Sequence, residues 1–182
     1  IFILLVFFFL AIILLTYLII YVPKFDYIQG RILSFFDRET GTHNFQSDKA
    51  IDSITSGGFF GKGIGEGTLN SRIPEAHTDF IISVISEEFG IIIILLIMLA
   101  FILFAYNIFK KIRETNQNVF KMILTGLISL LLMQTFVHVG VNLRVLPTTG
   151  MTLPYLSYGG SSIISISIIS GIILNLTKRR VK

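Results

Sequence analysis

Cysteine is absent from the 182 residues, which excludes disulfides, thiolate-bound metals and a cysteine nucleophile, and leaves the redox compartment open. Charge is scarce as well. Only 14% of residues are charged and 53% are hydrophobic, whereas a soluble domain carries about a quarter charged residues. A membrane protein is therefore expected. The net charge of +4 does not signal nucleic acid, because the basic residues gather in short clusters beside apolar runs; no nucleic-acid partner is expected. Phosphate-binding motifs are also missing. In Gly57-Gly58-Phe59-Phe60-Gly61-Lys62-Gly63-Ile64-Gly65-Glu66-Gly67, Gly61-Lys62 is followed by Gly63, and Ser56 stands where a P-loop needs its first glycine. Glu66 and Asn70 fall where the last glycine of G-x-G-x-x-G should be. No methionine precedes Ile1, the apolar run it opens is too long for a signal-peptide core, and no cleavage pattern follows. The chain is expected to be the C-terminal part of a longer protein.

What the sequence does contain is long uncharged stretches. A bilayer core needs about 20 apolar residues in a helix. Four segments supply them: residues 1–22, 80–109 (uncharged from Phe89 and entered through Phe80 to Glu88), 122–143 and 161–177. Lys110, Lys111, Arg113 and Lys121 lie in the connection 110–121, and Lys178, Arg179, Arg180 and Lys182 in the tail 178–182. The positive-inside rule makes that side cytoplasmic and places the loops 23–79 and 144–160 outside. The expected fold is an all-α polytopic membrane domain: about four transmembrane helices, a long outer loop and a re-entrant Pro/Gly segment. ATP and nucleotide sugars are scarce outside the cytoplasm, so a reaction there needs a substrate that carries its own activation.

The long loop opens with Phe25, Tyr27, Ile28, Ile32, Leu33, Phe35 and Phe36, which predicts short amphipathic helices folded back on the membrane surface. Two readings stand for the glycine run that follows. Its backbone can approach a ligand closely, with Lys62 beside an anionic group, or it is a tight loop packed on helix ends. Asp79 sits where this polar loop turns into an apolar run. A carboxylate fixed at a membrane boundary is a functional candidate, although Thr78-Asp79 also suits a helix N-terminus. Glu75, His77 and Asp79 alternate with single residues, a spacing compatible with a divalent ion or with an ordinary polar loop. Glu87 and Glu88 should face a wet cavity, the bundle interior or the interface. His138, with Gln134 one turn earlier, is a proton carrier, a substrate contact or a hydrogen-bonded link between helices. Two prolines and three glycines between Leu146 and Ser162 rule out one continuous helix. Irregular backbone at that depth must line a cavity or be buried in protein.

These loops resemble the C-terminal half of the SEDS family (shape, elongation, division and sporulation). The resemblance is carried by Arg31-Ile32-Leu33-Ser34-Phe35, Gln46, Gly57-Gly58 and Gly61-Lys62-Gly63-Ile64-Gly65. Pro74-Glu75-Ala76-His77-Thr78-Asp79-Phe80 and Glu87-Glu88-Phe89-Gly90 continue it. Leu146-Pro147-Thr148-Thr149-Gly150 and Leu153-Pro154-Tyr155-Leu156-Ser157-Tyr158-Gly159-Gly160-Ser161-Ser162 complete it. The segments 74–80 and 147–154 look more like the cell-division member than the elongation member. Three positions depart from the family's usual pattern: Arg38 after Asp37 in place of proline, Phe45 before Gln46 in place of tyrosine, and His138 in place of asparagine.

The resemblance implies a peptidoglycan glycosyltransferase that polymerises lipid II by an inverting single displacement during septal wall synthesis in the bacterial cytoplasmic membrane. Asp79 would be the general base. Arg31, Lys49 and Lys62 are candidates to neutralise the leaving pyrophosphate, Arg31 and Lys62 foremost, with Mg²⁺ or Mn²⁺ as a candidate cofactor. His77, Glu75, Ser157, Tyr158, Gly159, Gly160 and Ser161 would line the substrate site. Expected partners are lipid II, a class B penicillin-binding transpeptidase and other division proteins. A lipid II flippase and a non-catalytic division scaffold are the alternatives.

Overall fold

The computed structural model describes residues 2–23, 26, 28, 30, 33, 35, 42–73 and 76–178, which fall into two compact units, Ile1–Phe45 and Gln46–Lys182. In the first unit, helix α1 (Phe2–Tyr21) runs for 20 residues without a charged side chain. At 1.5 Å per residue it is about 30 Å long, the thickness of bilayer hydrocarbon. The front half of the long loop, including Arg31, Ile32 and Phe36, lies largely outside the described residues.

All regular structure among the described residues is helical. After α1 come α2 (Thr42–Gly57), α3 (Leu69–Arg72), α4 (Ile81–Phe89), α5 (Ile91–Glu114), α6 (Asn118–Asn142) and α7 (Gly160–Thr177). Helices α5, α6 and α7 are long and apolar enough to cross a membrane. Helix α5 ends at Thr115, whose extended backbone (φ −83°, ψ 131°) still bonds back to the Lys111 carbonyl. Only residues 115–117 separate it from α6, so the two helices pack as direct neighbours.

Helix α6 organises the bundle. Six of its eight buried residues, Leu124, Ile128, Leu131, Thr135, His138 and Asn142, follow the spacing of three and four that keeps side chains on one helix face. The apolar part of this stripe packs with Ala105 and Ile108 of α5 and Ile166 and Ile173 of α7. The stripe turns polar toward the end of the helix.

The spanning segment expected over residues 80–109 is two helices. Gly90 separates α4 from α5 with φ 83° and ψ 173°, a conformation open to glycine at little cost. The break matters because the glycine run folds into it. The N–H groups of Lys62 and Gly63 donate to the Glu87 and Glu88 carbonyls at 2.8 and 3.1 Å, and the Ile91 N–H donates to the Gly58 carbonyl at 3.0 Å. Backbone groups left without partners at a helix end are thus satisfied by the loop. A second core, formed by Ala50, Leu69, Ile73, Ala76, Phe80, Val84 and Val141, ties α2, α3 and α4 to the end of α6. Each large side chain there contributes about 1.5–3 kcal/mol by burial, so residues 46–73 and 76–90 form a folded platform.

The contact between loop and helix gives a discriminating test. A Cβ on Gly57 would overlap the Ser86 carbonyl oxygen, whereas one on Gly58 (φ +57°) would meet nothing within 4 Å. Gly57→Ala should destabilise the protein by about 2–3 kcal/mol through overpacking, and Gly58→Ala by about 1 kcal/mol through backbone strain alone. Thermal unfolding of the purified variants in detergent should rank them in that order.

Candidate active site

The segment carrying the acid is anchored by apolar side chains. Ile73, Ala76 and Phe80 are buried. Between them His77 is exposed, while Thr78 and Asp79 are half-buried. The capping position of α4 falls on Phe80 and carries no side-chain cap hydrogen bond, so Asp79 lies one residue ahead of the place where a capping side chain belongs.

The backbone of this segment is held from the C-terminal part of the chain. The Tyr158 N–H donates to the His77 carbonyl at 3.1 Å. The Ser157 hydroxyl donates to the Thr78 carbonyl at 2.7 Å and accepts from the Leu153 N–H at 2.8 Å. The Asn142 Nδ2 donates to the Asp79 carbonyl at 2.9 Å and to the His138 carbonyl at 2.9 Å. Its Oδ1 accepts from the Ser83 N–H at 3.2 Å and the Ser83 hydroxyl at 2.8 Å. Asn142 is fully buried with both donors and its acceptor engaged, the condition under which a buried amide costs little.

Loop 143–159 is held in turn by α6. His138 Nδ1 lies 2.8 Å from the Met151 carbonyl; a carbonyl only accepts, so Nδ1 carries the proton. Gln134 Nε2 donates to the Thr152 carbonyl at 2.8 Å, and the Thr152 and Ser162 hydroxyls are 2.6 Å apart. His138 is therefore a link between the helix and the loop. The loop places Gly150 (φ +73°) against the acid, where a Cβ would sit 3.8 Å from Asp79 Oδ2.

A second polar cluster surrounds Glu87, which is 1% exposed. Lys62 Nζ reaches its Oε1 at 2.8 Å, the Thr68 hydroxyl donates to the same oxygen at 3.1 Å, and the Leu69 N–H donates to Oε2 at 3.0 Å. Burial alone would push the carboxyl up, but Lys62 together with Thr68 and Leu69 outweighs it and brings the pKa down to about 2.

The expected site residues thus divide. Asp79, His77, Ser157 and Tyr158 come together at the junction of the two loops, with Gly150 beside them. Gly159, Gly160 and Ser161 follow at the start of α7, and the Ser161 carbonyl accepts from the Ser165 hydroxyl at 3.0 Å. Lys62 belongs to the Glu87 cluster, and Lys49 pairs with Asp52 along α2 at 3.3 Å. Arg31 and Glu75 lie outside the described residues. Asn142 and Ser83 were not among the expected residues. Among the described residues no three His, Asp or Glu side chains gather where they could hold a metal ion; Glu75, considered with His77 and Asp79 for that role, lies outside those residues.

Apolar spanning helices that carry a hydrogen-bonded polar platform at one end, with a half-buried aspartate in it, define a multi-pass membrane protein. The profile of the FtsW/RodA/SpoVE family, described as a cell cycle protein, matches residues 2–182, and the chain belongs to this family, the SEDS proteins. It is 36% identical to a probable peptidoglycan glycosyltransferase FtsW of Caulobacter vibrioides, over 86% of this chain and 40% of that protein. With the FtsW of Enterococcus hirae the identity is 34%, over 94% of this chain and 46% of the relative. A solved structure described as "Structural coordination of polymerization and crosslinking by a peptidoglycan synthase complex" matches with a TM-score of 0.71 at 27% identity, covering 96% of this chain and 47% of the other. The chain thus spans less than half the length of these relatives.

The Glu87 cluster yields a pH-dependent prediction. A carboxyl lowered from 4.5 to about 2 contributes stability that is complete above pH 4.5 and is lost as pH falls through about 2. Glu87→Gln should flatten acid unfolding in that window. Lys62→Met, which leaves the buried carboxylate without its counter-charge, should cost about 3 kcal/mol near neutral pH, read as a lowered melting temperature.

Proposed function

We propose that the protein containing this chain is a peptidoglycan glycosyltransferase that polymerises lipid II at the outer face of the bacterial cytoplasmic membrane during septal wall synthesis. The observation that carries the reading is Asp79. It is half-buried, its peptide carbonyl is held by Asn142, and its carboxylate faces the Gly150 turn in a chain similar to proteins named glycosyltransferases.

Lipid II supplies its own leaving group, which answers the shortage of activated donors outside the cytoplasm. The acceptor's 4-hydroxyl oxygen attacks C1 of the donor sugar, the bond from C1 to the pyrophosphate oxygen breaks, and the hydroxyl proton passes to the Asp79 carboxylate. One displacement turns the α-linked donor into a β-1,4-linked product. The pyrophosphate leaves as a stable anion that needs neutralising charge more than a proton. Arg31 and Lys62 are the side chains assigned to it. Lys62 suits the role through its part-exposed ammonium, one of whose three donors engages Glu87. A class B penicillin-binding transpeptidase, working with other division proteins, is the partner that would cross-link the strands. Support for that partner comes from the similar solved structure, a peptidoglycan synthase complex that couples polymerization to crosslinking.

The test uses full-length protein with its cognate transpeptidase and purified lipid II. Asp79→Asn should lower the rate of strand formation by about 10²–10⁴-fold, the usual worth of a positioned base, with folding unchanged. Equal polymer from both proteins would remove Asp79 from the mechanism. Lipid II crossing liposomes without polymer formation would identify a flippase instead.

A further inference from the structure

The carbonyls of His77, Thr78 and Asp79 are three in a row, and each accepts a hydrogen bond from the part of the chain beyond residue 141. A turn preceding a helix ordinarily leaves some of its carbonyls to water. Here the donors are a backbone N–H from Tyr158, a buried hydroxyl from Ser157 and a buried amide from Asn142. Two of the three are side chains, and both are themselves fixed. Ser157 is held by the Leu153 N–H, and Asn142 by the Ser83 N–H, the Ser83 hydroxyl and the His138 carbonyl. The carbonyl of Asp79 fixes the peptide plane on one side of the acid's Cα and that of Thr78 the plane on the other. With both planes set, the direction of the Cα–Cβ bond is set too.

We propose that Asn142 and Ser157 are positioning residues for the Asp79 carboxylate, acting through the Asp79 and Thr78 carbonyls. The proposal rests on the reading of Asp79 as the base. It gives Ser157 a role distinct from lining the substrate site, since its hydroxyl hydrogen is committed to Thr78 and one lone pair to Leu153. It also accounts for the amide at residue 142. Two carbonyl oxygens face its nitrogen and two donors face its oxygen. Aspartate, of the same shape, would turn a carboxylate oxygen toward both carbonyls.

A base that drifts by an ångström loses on the order of 10²-fold in rate. Asn142→Asp and Ser157→Ala, made in the full-length protein with its transpeptidase, should therefore lower kcat for strand formation by about 10–100-fold while leaving KM for lipid II within about twofold. Tyr155→Phe serves as the control. It removes a 2.6 Å bond from Tyr155, in the same loop, to Ser170 of α7 that does not reach residues 77–79, and kcat should hold within about twofold. Each variant is also made on the Asp79→Asn background, where the positioning substitutions should cost little more because the group they aim is gone. Unchanged kcat in both positioning variants overturns the proposal. So does a loss in KM alone, or a loss as large in Tyr155→Phe. Should Asn142→Asp fail to fold, Ser157→Ala alone decides. An active Asp79→Asn protein would sink the catalytic reading itself, and that outcome is separate from the others.

Discussion

The hydrogen bonds between residues 77–79 and the end of the chain are the constraint on which the rest of the platform depends. Two segments of irregular backbone meet at one end of an apolar bundle, and neither can satisfy its own polar groups there. The acid segment offers carbonyls; loop 143–159, kept from helix formation by Pro147 and Pro154, offers donors. Each solves the other's problem. An unpaired peptide group out of contact with water costs about 1–3 kcal/mol, so the two bonds from Ser157 and Tyr158, with the third from Asn142 at the end of α6, are a substantial reason for the two loops to adopt one arrangement. Ile73, Ala76 and Phe80 packing with Val141 and Leu146, and Leu153 packing with Ile82, bring the segments together, and the hydrogen bonds decide their register.

The glycine run solves a parallel problem at the other end of α4. Ending a helix after nine residues and starting another one residue later leaves carbonyls and amides exposed in a short space. The run inserts its backbone into the gap, which requires Gly57, Gly61 and Gly90 because a Cβ at any of them would overlap a neighbouring peptide. Lys62 then lands on Glu87 as a consequence of the same docking. The glycines thus have a packing explanation, and the ion pair fixes α4 from its C-terminal end while Asn142, accepting from Ser83 of α4, fixes it from its N-terminal end.

Much of this was legible in the residues. The apolar runs predict α6 and α7 to within about a turn and the existence of α5, though not its start at Ile91, and the Pro/Gly content of residues 146–162 predicts a non-helical loop. The break at Gly90 was not legible, since Phe80 to Phe109 reads as one apolar stretch with an acidic entry. It becomes intelligible only once the glycine run is seen occupying the gap. Asn142 was missed for a similar reason: at the edge of an apolar run a lone asparagine looks like the start of a loop. A signal did exist. Thr135, His138 and Asn142 continue the spacing of Leu124, Ile128 and Leu131, so a stripe that is apolar for two turns and polar for the next two marks where the helix stops packing on helices and starts holding loops. Ser157 was found as a site residue, but its direction, toward a carbonyl of the acid segment, depends on a contact 79 residues away in sequence.

That change along α6 joins the membrane-spanning and site-building roles in one element. From Leu124, packed in the bundle core, to Asn142, on the Asp79 carbonyl, the helix rises about 27 Å at 1.5 Å per residue. The level of the acid relative to the bundle is therefore set by a rigid rod and not by loop lengths. Rotation of the rod is set by the same face, because turning Leu124, Ile128 and Leu131 into the core turns His138 and Asn142 toward the platform. A substitution in the apolar half that rotated α6 would swing Asn142 away from Asp79 without touching either. Geometry at the acid is thus coupled to helix packing far below it, through a single helix whose buried face changes chemistry halfway along.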